Sequence, residues 1–132
     1  MKSAGYSGTP LLMKLGMDRA TSIAVLNAPA GYIDCLGVSA SRKLRANSEV
    51  VQVFTKSSAE LKSMIEQLRA SIVPNGAIWI SWPKKASKVE TDLNENVVRD
   101  IALAHGLVDI KVCAVDEVWS GLKLVIPVAQ RK

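Results

Sequence analysis

The stretch from Ser57 to Lys85 constrains the fold most, because it predicts a helix, a tight turn and a buried strand in immediate succession. Ser57 and Glu60 have capping-box spacing, in which the serine oxygen accepts from an amide three residues on and the glutamate reaches back. Apolar residues then recur every three or four positions, which predicts a helix with one face against a core. These residues are Leu61, Met64, Ile65, Leu68 and Ile72.

A proline and an Asn-Gly pair follow this helix and predict its end. Pro74 cannot continue a helix, and Asn75-Gly76 suits a turn that needs positive φ. The residues from Ala77 to Ile80 then form a short, wholly apolar run. Strands that are apolar on both faces usually lie in the centre of a parallel sheet covered by helices. We therefore predict a central strand here, ended by Pro83.

Strand and helix patterns alternate along the rest of the chain. The last helix is predicted to start between Thr91 and Asn94, with Asp92 and Glu95 at capping spacing. The other predicted elements are a helix at 10–16, a strand at 21–26, a loop at 27–31, a short helix at 32–36, an exposed helix or loop at 38–47, a strand at 50–55, a basic loop at 84–90, a strand at 108–114 and a final strand at 119–128.

The strand at 108–114 shows a period of two. Val108, Ile110, Val112 and Ala114 alternate with Asp109, Lys111 and Cys113, which is the pattern of a strand. The final strand follows too closely to be parallel to this one, so the two should form an antiparallel pair. The final strand is also a candidate sheet edge, and edges invite pairing between subunits, which leaves a homodimer open.

This order of elements predicts an α/β fold. Alternating strands and helices imply a mostly parallel sheet with helices on both faces. The prediction is a small Rossmann-like three-layer sandwich, whose mostly parallel sheet ends in an antiparallel strand pair. It would span residues 10–132, after a flexible Gly- and Ser-containing arm over 1–9.

Composition excludes several classes of protein. The 132 residues are 48% hydrophobic and 22% charged, which fits one folded domain and excludes a disordered chain. The net charge of +5 favours an anionic partner without choosing among small molecule, nucleic acid and acidic protein. Two cysteines and one histidine cannot build a zinc cage, and no metal is expected. A reducing cytoplasm fits this cysteine usage, and no stretch is apolar enough to predict a membrane partner.

Ligands of open α/β sheets bind beyond the carboxyl ends of the parallel strands, which selects three loops. In the loop after the central strand, Trp82 could stack on a ring while Lys84 and Lys85 neutralise an anion. The alternative is that Trp82 packs under a helix and the lysines are solvated. Ser57 and Ser58 lie at a helix N-terminus that favours anions, or they simply cap it.

The loop after the first strand supplies the remaining candidates, Asn27, Gly31 and Tyr32. Turn formation by Asn27 and packing by Tyr32 are the alternatives to ligand contact. No P-loop, nucleophile elbow or catalytic dyad is present, so no catalytic residue is predicted. A basic surface that could bind nucleic acid comprises Arg42, Lys43, Arg45, Lys84, Lys85 and Lys88.

Two family resemblances follow from these segments. GYSGTPLLMKLG, NAPAGY and the segment from Ser81 to Val125 resemble the bacterial family Domain of Unknown Function 3052, which implies no activity. LLMKLGM and ELKSMIEQLRASIVPNGAIWISWP are similar to segments of class I S-adenosylmethionine-dependent methyltransferases. That second resemblance implies a glycine-rich cofactor loop and an acidic residue after the second strand. Here the loop has only Gly31, and the strand ends in Thr55-Lys56.

The resemblance therefore implies a shared fold with a degraded cofactor site, which disfavours S-adenosylmethionine as the ligand. The first expectation is a non-catalytic or regulatory domain that binds an anionic small molecule or a protein partner. A divergent S-adenosylmethionine-dependent methyltransferase and a nucleic-acid-binding protein are the alternatives.

Overall fold

The computed structural model describes residues 10–131, so the predicted arm over 1–9 lies outside the described residues. The helices are α1 (Leu11–Lys14), α2 (Tyr32–Leu36), α3 (Ser58–Ser71) and α4 (Glu95–Ala104), with single 3₁₀ turns at Lys85–Ser87 and Val128–Gln130. The strands are β1 (Ile23–Leu26), β2 (Ser48–Phe54), β3 (Ile72–Pro83), β4 (Val108–Ala114) and β5 (Trp119–Val125).

The five strands form one mixed sheet in the order β1-β2-β3-β5-β4. The first three strands are parallel, and β5 runs antiparallel to both β3 and β4. This confirms the predicted parallel sheet with an antiparallel closing pair. The predicted edge was wrong, because the hairpin inserts β5 beside β3 and leaves β4 outermost. At the other edge, Ser41 makes a single parallel bridge to Ala24 of β1.

Helices cover both faces of the sheet, which confirms the three-layer sandwich. The face under α3 and α4 holds the larger apolar cluster, with Leu61, Ile65 and Leu68 of α3 fully buried. The face under α1 and α2 holds a second cluster around Phe54 and Trp79. The Trp79 indole donates a 2.9 Å hydrogen bond to the carbonyl of Leu15, which fixes the chain after α1 to this face.

The turn predicted at Pro74-Asn75-Gly76 is part of β3 instead. Ile72 pairs with Ser48, and Ala77 pairs with Val50. The four residues between Ile72 and Ala77 therefore bulge out of the ladder. Neither Asn75 nor Gly76 has a positive φ. Gly76 is required for another reason, since a Cβ there would lie 3.0 Å from the carbonyl oxygen of Glu49.

A second bulge interrupts the predicted period of two in β4. Asp109 pairs with Leu124 and Lys111 with Lys123, so Ile110 is an extra residue and the alternation of faces shifts there. Ile110 is 58% exposed and Val112 49% exposed, because the bulge lies on the outermost strand. Bulges of this kind are a common means of discouraging unwanted edge pairing.

Two predicted boundaries also change. Asn94 caps α4 by accepting a 2.9 Å hydrogen bond from the amide of Val97, so Asp92 is not the cap. The carboxylate of Asp92 instead accepts from the amide and hydroxyl of Ser58, at 2.8 and 2.7 Å. The final strand ends at Val125 rather than at Val128.

Candidate functional site

A cleft opens at the carboxyl ends of β1 and β2, where ligands of open α/β sheets bind. The antiparallel β5 begins at the same end of the sheet, because Trp119 pairs with Pro83 at the end of β3. The cleft has a volume of about 510 Å³, within the range of roughly 300–1,000 Å³ usual for small-molecule sites. The carboxyl-edge cleft, as we name it, is lined by Asn27, Pro29, Phe54, Thr55, Lys56, Ser57, Glu60 and Trp119.

Aromatic rings form one wall of the carboxyl-edge cleft. Phe54 packs edge-to-face against Trp119, with ring centroids 5.0 Å apart and planes at 88°. Phe54 makes a similar contact with Tyr32 of α2, at 4.8 Å and 73°. Edge-to-face pairs hold rings in fixed orientations. The three rings therefore connect α2, β2 and β5 into one preformed apolar surface.

A buried polar network lies beneath this wall. The Tyr32 hydroxyl donates a 2.7 Å hydrogen bond to Gln52 Oε1, and Gln52 Nε2 donates to Ser81 Oγ at 3.1 Å. Gln52 and Ser81 are fully buried in the sheet. Burial raises the pKa of Tyr32 above its ordinary value, so the phenol stays protonated and serves as a donor.

The polar rim of the carboxyl-edge cleft is built at the start of α3. Ser57 Oγ accepts a 3.2 Å hydrogen bond from the amide of Glu60, which confirms the predicted serine cap. The glutamate does not complete the capping box. The Thr55 hydroxyl accepts from the amide of Ser57 at 3.3 Å and donates to the Glu60 carboxylate. Thr55 thereby joins the end of β2 to the first turn of α3.

The loop after β1 borders the carboxyl-edge cleft. Asn27 has a φ of 58°, a left-handed conformation that asparagine tolerates better than most residues. Gly31 has a φ of 79° and forms the N-cap of α2. A Cβ built at Gly31 would meet no atom within 4 Å, so the positive φ explains this glycine and close packing does not.

The structure brings together only some of the predicted site residues. Asn27 and Ser57 line the carboxyl-edge cleft, and Tyr32 supports its aromatic wall from behind. The amide and the hydroxyl of Ser58 both donate hydrogen bonds to the Asp92 carboxylate. These bonds stabilise its charged form and so lower the pKa of Asp92. Gly31 is exposed beside the cleft without lining it.

The candidates after β3 lie elsewhere. Trp82 is 5% exposed and packs in the larger apolar cluster, as its structural alternative predicts. Lys84 and Lys85 begin the 3₁₀ turn that follows β3 and do not line the cleft. Sequence reasoning missed Phe54, Glu60 and Trp119 as cleft residues. Phe54 lies at the end of a predicted parallel strand, and that position could have marked it as a cleft residue. Trp119 could not be identified in this way, because its pairing with Pro83 is not visible in the sequence.

Among residues 10–131, no three His, Cys, Asp or Glu side chains are grouped so that they could hold a metal ion. No helix in this same range is both long and apolar enough to cross a bilayer.

Comparisons with protein-family models and with curated proteins find no match, so the resemblance to Domain of Unknown Function 3052 is not confirmed. Solved structures do share the fold. The alignment with the mitomycin 7-O-methyltransferase MmcR covers 81% of this chain and 49% of MmcR, at 6% identity and a TM-score of 0.63. The alignment with the magnesium protoporphyrin IX methyltransferase ChlM from Synechocystis PCC 6803, solved with bound SAM, covers 74% of this chain and 50% of ChlM. The identity is 14% and the TM-score 0.51.

The alignment with the ribosomal protein L11 methylase from Lactobacillus delbrueckii subsp. bulgaricus covers 90% of this chain and 67% of the methylase. The identity is 12% and the TM-score 0.51. The chain spans about half the length of MmcR and ChlM. At these identities the likeness concerns the fold alone. The chain therefore has a Rossmann-like α/β fold similar to that of S-adenosylmethionine-dependent methyltransferases.

Proposed function

We propose that this chain binds S-adenosylmethionine, or its product S-adenosylhomocysteine, in the carboxyl-edge cleft and acts in methyl transfer. The observation that carries the proposal is the cleft itself, a preformed space of about 510 Å³ at the carboxyl ends of β1 and β2. The likeness of the fold to methyltransferases selects the class of ligand.

The chemistry of the lining suits such a ligand. Trp119 and Phe54 offer aromatic surface on which a purine can stack. Lys56 carries a positive charge, which matches the carboxylate of an amino-acid moiety. Asn27 and Ser57 add an amide and a hydroxyl that can bond ribose or amino-acid groups.

The lining also differs from the glycine-rich pattern that the family resemblance implies. Only Gly31 is present in the loop after β1, and it does not line the cleft. Contacts to the ligand would therefore come from side chains such as Asn27, Lys56 and Ser57 rather than from closely approaching backbone. We accordingly expect weaker binding than a glycine-rich loop would give.

When bound, S-adenosylmethionine supplies an electrophilic methyl group. The chain's own contribution to transfer would be to orient the acceptor and to take a proton from it. Within the cleft as the structure describes it, Glu60 is the one carboxylate, and it already accepts a hydrogen bond from the Thr55 hydroxyl. Glu60 is therefore the residue we assign as proton acceptor.

Isothermal titration calorimetry with S-adenosylhomocysteine tests the binding step. The informative variant is Asn27→Gly, because glycine keeps the φ of 58° and removes only the cleft-lining amide. Its matched control is Asn47→Gly, which changes another exposed asparagine with a φ of 62°. We expect wild type and Asn47→Gly to bind alike and Asn27→Gly to bind several-fold more weakly. Equal binding by all three proteins, or none by wild type, contradicts the proposal.

A second function, binding without turnover, is favoured by one observation. The Glu60 carboxylate already accepts a hydrogen bond from the Thr55 hydroxyl, so one of its oxygens is occupied before an acceptor binds. The two functions differ in one measurable respect. A methyltransferase given an acceptor accumulates S-adenosylhomocysteine with time, whereas a binding domain retains S-adenosylmethionine unchanged.

A further inference from the structure

A second cleft lies at the other end of β1. It has a volume of about 510 Å³, and serine hydroxyls together with one guanidinium group form much of its lining. The serine-arginine cleft, as we name it, is lined among others by Ser22, Ser39, Ser41, Arg45 and Ser48. None of these residues lines the carboxyl-edge cleft.

The loop that forms this cleft is held in place by its own serines. Ser41 exchanges two 2.8 Å backbone hydrogen bonds with β1, one with Ile23 and one with Val25. Its hydroxyl donates to the carbonyl of Lys43 and accepts from the amide of Lys43 at 3.1 Å. The Ser48 hydroxyl donates to the carbonyl of Arg45 at 2.7 Å, which closes the far end of the loop.

Arg45 is oriented by the same hydroxyl. Its Nε donates to Ser41 Oγ at 3.2 Å, so one edge of the guanidinium is fixed. Within residues 10–131, no hydrogen bond or ion pair engages its two terminal nitrogens. A guanidinium with a fixed edge and free terminal donors is the geometry that binds a phosphate in a bidentate manner.

The charge of the loop that forms the cleft is positive. Residues 35–48 include Arg42, Lys43 and Arg45 and no acidic residue. The next acidic residue, Glu49, holds the amides of Thr21 and Ser22 through its Oε1, and these bonds keep its pKa low. Thr21 and Ser22 themselves line the cleft, so the Glu49 carboxylate lies beside it and is already occupied by hydrogen bonds from these two residues. The cations of the loop have no acidic partner in the described structure.

We propose that the serine-arginine cleft binds a phosphate group through Arg45, with Arg42 and Lys43 at its rim. The phosphate could belong to a free nucleotide or to the backbone of a single-stranded nucleic acid, and both sources present the same oxyanion. The site is independent of the carboxyl-edge cleft, because β1 separates them by its four residues, about 13 Å at 3.3 Å per residue.

The test measures binding of pyrophosphate, ADP and a fluorescent twelve-nucleotide RNA to the full chain at low salt. The variant is Arg45→Gln, and the matched control is Lys62→Gln, which removes one exposed charge from α3. We expect Arg45→Gln to weaken binding about ten-fold or more, and Lys62→Gln to change it less than two-fold. Ser41→Ala, which frees the Arg45 side chain, should weaken binding by an intermediate factor.

The three probes distinguish the sources of the phosphate. Binding of ADP or pyrophosphate that depends on Arg45 assigns a free phosphate ligand. Binding of RNA alone, with a log–log salt slope of about −2 for three phosphate contacts, assigns a nucleic-acid backbone. No binding of any probe, or equal losses in Arg45→Gln and Lys62→Gln, overturns the proposal. S-adenosylhomocysteine binding should be unchanged in Arg45→Gln, so this outcome is separate from that of the carboxyl-edge cleft.

Discussion

Tyr32 and Gln52 are joined by a 2.7 Å hydrogen bond from the phenol hydroxyl on α2 to the amide oxygen in the middle of β2. Gln52 is fully buried, and its own amide nitrogen is bonded to Ser81 on the neighbouring strand. The pair therefore fixes α2 to the centre of the sheet. It also fixes the Tyr32 ring against Phe54, which is part of the cleft wall.

Removing this hydroxyl should destabilise the fold. Tyr32→Phe leaves Gln52 Oε1 buried without a donor, which costs about 1–3 kcal/mol in free energy of unfolding. Urea denaturation measures the loss. The double variant Tyr32→Phe with Gln52→Leu is the control, since it removes both partners and should be less destabilised than the sum of the single changes. Strict additivity would show that the two side chains do not interact.

The bulge in β3 makes opposite predictions for two neighbouring residues. Gly76→Ala should cost about 1–3 kcal/mol, because its Cβ would press on the Glu49 carbonyl and on Ile72 at 3.0–3.1 Å. Asn75→Ala should change stability by less than about 0.5 kcal/mol, because Asn75 is exposed and has no positive φ to strain. Thermal unfolding compares the two. Losses of similar size in both variants would contradict the bulge and favour a turn in which both residues need positive φ.

Asp92 should make stability depend on acid pH. Hydrogen bonds from the hydroxyl and amide of Ser58 lower its pKa in the folded state. A lowered folded pKa stabilises the protein above the unfolded pKa, near pH 4, and this stabilisation is lost as pH falls through the folded pKa. Asp92→Asn should therefore be less stable than wild type at pH 7, and the difference should shrink below about pH 4.

Asp100 provides the control for this titration. Its carboxylate lies on α4 and makes no hydrogen bond or ion pair among residues 10–131. Asp100→Asn removes a carboxylate that Ser58 does not contact, so it should not reproduce the loss of stability at pH 7 expected of Asp92→Asn. Equal losses in the two variants at pH 7 would contradict stabilisation of the Asp92 carboxylate by Ser58.

The cap of α4 is a separate prediction. Asn94→Ala removes the acceptor of the Val97 amide and should cost about 1 kcal/mol. Asn94→Asp keeps an acceptor at a helix N-terminus, where negative charge is favourable, and should be at least as stable as wild type. Far-UV circular dichroism during thermal unfolding measures both. Equal losses in the two variants would contradict the assignment of Asn94 as cap.

The order of elements was predictable because period and capping are local properties of the sequence. The stripe from Leu61 to Ile72 and the apolar run of Ala77 to Ile80 specify a helix and a central strand without reference to the rest of the chain. The serine cap at Ser57 was predictable for the same reason, since its bond to the Glu60 amide spans three residues.

The bulges and the aromatic wall were not predictable, because each depends on the register between distant strands. Gly76 looks like a turn residue until the Glu49 carbonyl is placed beside it. Ile110 continues the apolar alternation of β4, but it is the extra residue of the bulge and is exposed on the outermost strand. Trp119 becomes a cleft residue only because it pairs with Pro83, 36 positions earlier in the chain by their numbers.

The most direct test of the proposed cleft uses the chain's three tryptophans. Trp119 lines the carboxyl-edge cleft, whereas Trp79 is fully buried with its indole bonded to Leu15, and Trp82 is in the core. A ¹⁵N–¹H correlation spectrum resolves their indole signals during titration with S-adenosylhomocysteine. We predict a saturable shift of the Trp119 signal with the Trp79 signal unmoved. A Trp119 signal that stays fixed at millimolar ligand would contradict binding at this cleft.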